Sequence, residues 1–184
     1  GADGIYSIPL NGSEQFHENT NDTTLFLFSD TFIGSVNSSG LRENSSLVNN
    51  TLALLQGNRP DKDQIEFLWD TDPSNNPAAV FIPNTAEAND GDWYWLMDGI
   101  AIGDTVYVYG MRLESASKGF KPIGVALISF TIGQDFTIEN LNSYHRVAED
   151  KAEAARMALE ATMDLELPLK DCYDAPLKEA IEAG

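Results

Sequence analysis

Over its first 140 residues the chain alternates short apolar bursts with Gly, Asn, Asp and Pro. Gln64–Trp69 sends Ile65, Phe67 and Trp69 to one side of an extended strand. Thr105–Tyr109 is rich in the β-branched and aromatic residues that suit a pleated surface. Strands are predicted at Ile5–Leu10, Thr24–Phe28, Thr31–Val36, Leu47–Leu55, Gln64–Trp69, Val80–Ile82, Trp93–Met97, Gly99–Ile102, Thr105–Arg112 and Gly124–Ile132, with room for a fourth blade strand at Thr137–Leu141. Ile102-Gly103-Asp104-Thr105 reads as a tight hairpin turn. Two blade-like units follow, one over 3–69 with a polar insertion at 11–22, the other over 92–138. The expected class is mainly β: antiparallel meander blades of an incomplete or truncated β-propeller, although a small sandwich would read similarly.

The pattern changes near residue 140, where Ala, Glu, Lys, Leu and Met take over. Residues 145–163 carry an apolar stripe near helical spacing, Pro168 stops it, and Pro176 opens a second short helix. The expected division is a β-propeller-like domain of about two to three blades over 1–140 and a helical tail over 145–184.

Charge narrows the partners. With 29 acidic and 11 basic residues the formal net charge is −18, which opposes a nucleic-acid partner. No apolar run is long enough for a membrane-spanning helix. Cys172 is the single cysteine and the histidines are His17 and His145, so neither a disulfide framework nor a cysteine zinc site is expected. The pairs Asp61/Asp63 and Asp70/Asp72 lack the glycine and distal glutamate of a calcium loop. No metal or cofactor is expected. Asn-x-Ser/Thr triplets begin at Asn11, Asn21, Asn37, Asn44 and Asn49. Whether they are glycan acceptors or loop composition, they point to an extracellular, periplasmic or cell-surface location.

Three aspartates stand beside apolar runs. Asp3 and Asp98 each precede a glycine and then an alternating segment, while Asp30 interrupts Leu25-Phe26-Leu27-Phe28-Ser29 and Thr31-Phe32-Ile33. A charge in such a stretch is costly unless it is paired or faces a pocket, although a bend bonded to nearby amides would account for it as well. Glycosidic bond cleavage uses two carboxyl groups across the sugar, and carboxylates beside strands are held rigidly. Asp3 and Asp30 are the candidate pair, and all three aspartates are expected to meet at one hollow. Alternation places Trp93 and Trp95 on one face and Tyr94 on the other, offering an aromatic platform or core packing. Asn49 and Asn50 interrupt the apolar run Leu47–Leu55 and suggest pocket contacts or a bulge.

Four segments in order, Asp3-Gly4-Ile5-Tyr6-Ser7, Leu25-Phe26-Leu27-Phe28-Ser29-Asp30-Thr31-Phe32, Val48-Asn49-Asn50-Thr51 and Met97-Asp98-Gly99, resemble the opening of a family of five-bladed β-propeller proteins. That family is similar to arabinanase-type glycoside hydrolases and includes endo-D-arabinanases. The resemblance covers residues 1–138, and Ser29 stands where the family pattern has glycine. It implies Asp3 and Asp30 as catalytic carboxylates, with Asn49, Asn50 and Asp98 lining the pocket. A five-bladed ring needs about twice this length, so it further implies a missing segment or a partner chain that completes the fold. The sequence therefore leaves three readings: a glycoside hydrolase cleaving a polysaccharide of arabinan type, with Asp3 and Asp30 catalytic and Asn49, Asn50, Trp93, Trp95 and Asp98 binding substrate; a non-catalytic carbohydrate-binding or cell-surface module; and an assembly protein completing a partner's sheet.

Overall fold

Alternation in Leu25-Phe26-Leu27 sorts side chains to two faces, and Leu25 and Leu27 are fully buried. The same rule orders the rest of the computed structural model, which describes residues 1–13, 23–57 and 59–146. Its strands are β1 (Tyr6–Pro9), β2 (Thr23–Phe28), β3 (Thr31–Val36), β4 (Arg42–Val48), β5 (Thr51–Gln56), β6 (Ile65–Leu68), β7 (Asp70–Thr71), β8 (Pro77–Ala78), β9 (Trp93–Ile102), β10 (Thr105–Ser115), β11 (Phe120–Ile132) and β12 (Ile138–Arg146).

Two four-stranded sheets carry the fold, in the orders β1-β2-β5-β6 and β12-β11-β10-β9. The second is a plain meander. The first is interrupted, because β3 and β4 leave it between β2 and β5 as a separate two-stranded ribbon. Strands β7 and β8 form another small hairpin. The two large sheets bury a common core: Ile8, Leu25, Leu27 and Leu52 from the first, and Tyr94, Leu96, Val106, Val108, Ala126, Ile128 and Phe130 from the second. Phe81, from the segment joining the sheets, fills the same core and packs 5.1 Å from Phe130.

The mainly β, antiparallel expectation stands. Two blade-sized sheets are present; ring closure requires further sheets. Several boundaries differ from the sequence reading. Leu47–Leu55 is not one strand: it breaks at Asn49-Asn50, where the chain leaves the ribbon and enters the first sheet. Arg42–Ser46 is strand despite its polarity, because the ribbon is solvated and its pairing comes from the main chain. Val80–Ile82 is no strand; it is held by Asn50 instead. Trp93–Met97 and Gly99–Ile102 are one strand with a bulge: Leu96 pairs with Gly110 and Gly99 with Val108, leaving Met97 and Asp98 opposite Tyr109 alone. The Gly103-Asp104 turn is as expected. β12 continues through Arg146, so no helix begins at 145. The rest of the expected tail, 147–184, lies outside the described residues. Among the described residues no helix is long and apolar enough to cross a membrane.

Candidate functional site

The site starts at the bend between β2 and β3. Ser29 is buried, and its Oγ donates to the Leu96 carbonyl at 3.1 Å, tying the bend to edge strand β9 of the other sheet. The N-terminal segment joins the same bend: Ala2 bridges Thr31, Asp3 N donates to the Asp30 carbonyl at 3.1 Å, and Ser29 N donates to the Asp3 carbonyl at 3.0 Å. The Asp3 and Asp30 backbones therefore lie side by side. Gly4 is required here, since its φ is +56° and a Cβ would come within 2.8 Å of Ser29 Oγ.

Asp30 is half-buried and its carboxylate is tethered. Trp95 Nε1 donates to Oδ1 at 2.8 Å, and Asn49 Nδ2 donates to the same oxygen at 3.4 Å. Among the described residues nothing donates to Oδ2. The Asp3 side chain is exposed and has no hydrogen bond among the described residues. Four predicted residues thus gather at one place: Asp3, Asp30, Asn49 and Trp95.

Asn50 faces the other way. It is fully buried, its Nδ2 donates to the carbonyls of Phe81 (2.9 Å) and Tyr94 (3.1 Å), and its Oδ1 accepts from Phe81 N (2.8 Å). Its amide is spent on joining the two sheets rather than on a pocket.

Trp93 and Trp95 share a face, as alternation requires, with Tyr94 fully buried on the other. Phe120, at the tip of the β10–β11 hairpin, sits edge-on to both indoles. Sequence reading passed over Phe120 because it stands alone after Lys118-Gly119, with no periodic neighbour to mark it.

Asp98 sits on the bulge of β9, exposed, with Oδ1 accepting from the Gly99 amide at 2.8 Å. It lines a shallow depression of about 360 Å³ with Gly99, Ile100, Tyr107, Tyr109 and Leu127. Asp3 and Asp30 are not among its walls, so of the three aspartates expected to meet at one hollow this depression holds Asp98 alone. Gly99 is required by close packing, because a Cβ there would strike the Tyr107 carbonyl and meet Ile8 Cδ1 at 2.8 Å. The two Asp-Gly pairs thus recur for different local reasons. Among the described residues no group of three His, Cys, Asp or Glu side chains could hold a metal ion.

Beneath the platform, burial raises the Tyr94 phenol above its ordinary range; the Asp92 charge adds to this, while a Ser143 hydrogen bond and the Arg112 charge oppose it. The folded chain holds that proton more tightly than the unfolded one. The contribution is full below the unfolded value of about 10 and is lost as pH rises through the raised folded value. Denaturation curves across the alkaline range should show stability falling, and Tyr94→Phe should flatten that fall; an unchanged alkaline slope would rule out Tyr94 as its source.

A protein family described as a domain of unknown function (DUF5005) matches residues 1–162. The chain belongs to the DUF5005 family. Among solved structures, this DUF5005 chain is similar to one described as "a putative hydrolase from Bacteroides ovatus ATCC 8483", with a TM-score of 0.59 and 15% identity. The likeness covers 77% of the DUF5005 chain and 39% of the Bacteroides protein, and at that identity it concerns the fold. No curated protein matches the chain.

Proposed function

We propose that this chain is a glycoside hydrolase-like protein that cleaves a polysaccharide outside the cytoplasm, with Asp30 and Asp3 as its carboxyl pair and an arabinan-type substrate as the first to test. The observation that carries this reading is the 2.8 Å hydrogen bond from Trp95 Nε1 to Asp30 Oδ1. It fixes a carboxylate from one sheet against an indole from the other and leaves Oδ2 for chemistry. Asn49 adds a second donor to the same oxygen, so rotation of the carboxylate is restrained from two sides. A held carboxylate of this kind suits the base or nucleophile, and the role of proton donor is assigned to Asp3, whose backbone lies beside that of Asp30. Trp95 offers apolar surface for a sugar's C–H face. The resemblance to arabinanase-type enzymes and the fold shared with a protein described as a hydrolase support the same reading. Because the chain spans 39% of that structural neighbour, the remaining walls of the cleft are assigned to a longer form of the protein or a partner chain.

Release of reducing ends from arabinan and a panel of other polysaccharides tests this. Asp30→Asn should lower kcat by about 100-fold or more while folding is retained. Unchanged turnover in Asp30→Asn sinks the catalytic assignment. Binding of sugar without cleavage by the natural chain would instead favour a carbohydrate-binding module, which the shared face of Trp93 and Trp95 equally suits.

A further inference from the structure

The two platform tryptophans are not equivalent. Trp95 Nε1 is committed to Asp30. Trp93 Nε1 is buried and has no hydrogen-bond partner among the described residues. A buried N–H without an acceptor is both rare and destabilising, so one that persists calls for an explanation in function or packing. The ring packed against both indoles is Phe120. Its ring lies 6.1 Å from Trp93 and 4.6 Å from Trp95, at interplanar angles of 78° and 76°. Phe120 is nevertheless 48% exposed, and it follows Gly119, whose φ is +78°, at a hairpin tip closed by the Ala116 N to Gly119 carbonyl bond. Moving this ring therefore uncovers little core.

We propose that Trp93 Nε1 is a ligand donor in a neutral-sugar subsite: a sugar unit displaces Phe120, lays its C–H face on the Trp95 indole, and accepts a hydrogen bond from Trp93 Nε1 through a hydroxyl or ring oxygen. This rests on the carbohydrate reading above and specifies how that site holds its substrate. A neutral sugar is favoured over an acidic one for two reasons. Asp30 is bonded to Trp95 and the Asp3 backbone lies next to that of Asp30, and these like charges would repel a uronate. Lys121, next to Phe120, is already paired with Glu114 at 2.6 Å.

The test follows the indole N–H resonances of Trp69, Trp93 and Trp95 in nitrogen-15-labelled protein during titration with neutral arabino-, xylo- and gluco-oligosaccharides. A downfield shift of the Trp93 indole proton is expected as it gains an acceptor, with the Trp95 indole proton moving less. Replacing Trp93 by its isostere benzothienylalanine, which lacks the N–H, should weaken binding by about 10-fold without lowering stability. Phe120→Ala should fold and bind at least as tightly. If a sugar perturbs Trp95 and leaves the Trp93 indole unmoved, or the isostere binds as the natural chain does, the donor role is overturned and the carbohydrate reading stands. If Phe120→Ala binds more weakly, Phe120 is platform rather than cover and the displacement is overturned. If no oligosaccharide perturbs any of these resonances, the carbohydrate reading falls and the subsite with it.

Discussion

Asn50→Leu should cost about 3–5 kcal/mol of folding stability, although leucine has nearly the same size and would suit an apolar surrounding. The reason is what the substitution leaves behind. Phe81 N loses its acceptor, and the carbonyls of Phe81 and Tyr94 each lose a donor, all at buried positions. Each orphaned buried polar group costs about 1–3 kcal/mol, and the three losses share one site, so they combine less than additively. Phe81 is also displaced in consequence, and with it the ring packed against Phe130. Asn50→Asp keeps the acceptor, removes both donors and buries a charge, so it should be no better tolerated. Urea denaturation measures both. A shift in midpoint worth less than about 1 kcal/mol at unchanged slope would show that the segment around Phe81 finds other partners.

That prediction marks where sequence reading stopped. Asn49 and Asn50 were visible as two amides in an apolar run, but nothing local distinguishes a residue that tethers a carboxylate from one that ties two sheets together. Each role is set by a group 19 to 44 residues away. Strands with a buried face were legible, because alternation in Thr23–Phe28 or Trp93–Ile102 reports directly which side meets the core. The ribbon strand Arg42–Val48 was not, since both its faces are largely exposed and carry no apolar signal. The bulge at Met97-Asp98 interrupts the alternation within Trp93–Ile102, because an extra residue breaks the period without breaking the pairing. Asp30 was identifiable from the cost of a charge among phenylalanines. Its partner Trp95 lies 65 residues away, and that contact depends on the two sheets meeting through Ser29 and Leu96.

The pairing of Arg112 with Asp92 supplies the other large effect. Both side chains are buried, and Arg112 Nε and Nη2 reach the same Asp92 Oδ2 at 3.0 and 2.7 Å. Arg112 Nη2 also donates to the Glu87 carbonyl, and Asn89 N donates to Asp92 Oδ2 at 2.9 Å, so the pair anchors the loop that leads into β9. Asp92→Ala should destabilise the fold by about 3–5 kcal/mol, because it removes the counter-charge of a guanidinium in a site with little water. The pair itself is worth much less than that figure, since bringing both charges out of water offsets most of their attraction. The double variant Asp92→Ala with Arg112→Met should therefore recover much of the loss, and the two single costs should exceed the double one. Simple additivity in chemical denaturation would mean that Arg112 is stabilised by other contacts and that Asp92 acts only as a loop cap. The consequence reaches the proposed site. Arg112 pairs with Tyr94 in the β9–β10 ladder, between Trp93 and Trp95, so a loosened Arg112 should disturb the Trp95–Asp30 hydrogen bond before the sheet itself unfolds. In the Asp92→Ala variant, measured below its unfolding midpoint, the Trp95 indole N–H should exchange with solvent faster than amides of the inner strand β10. Equal protection at both places would confine Asp92 to global stability.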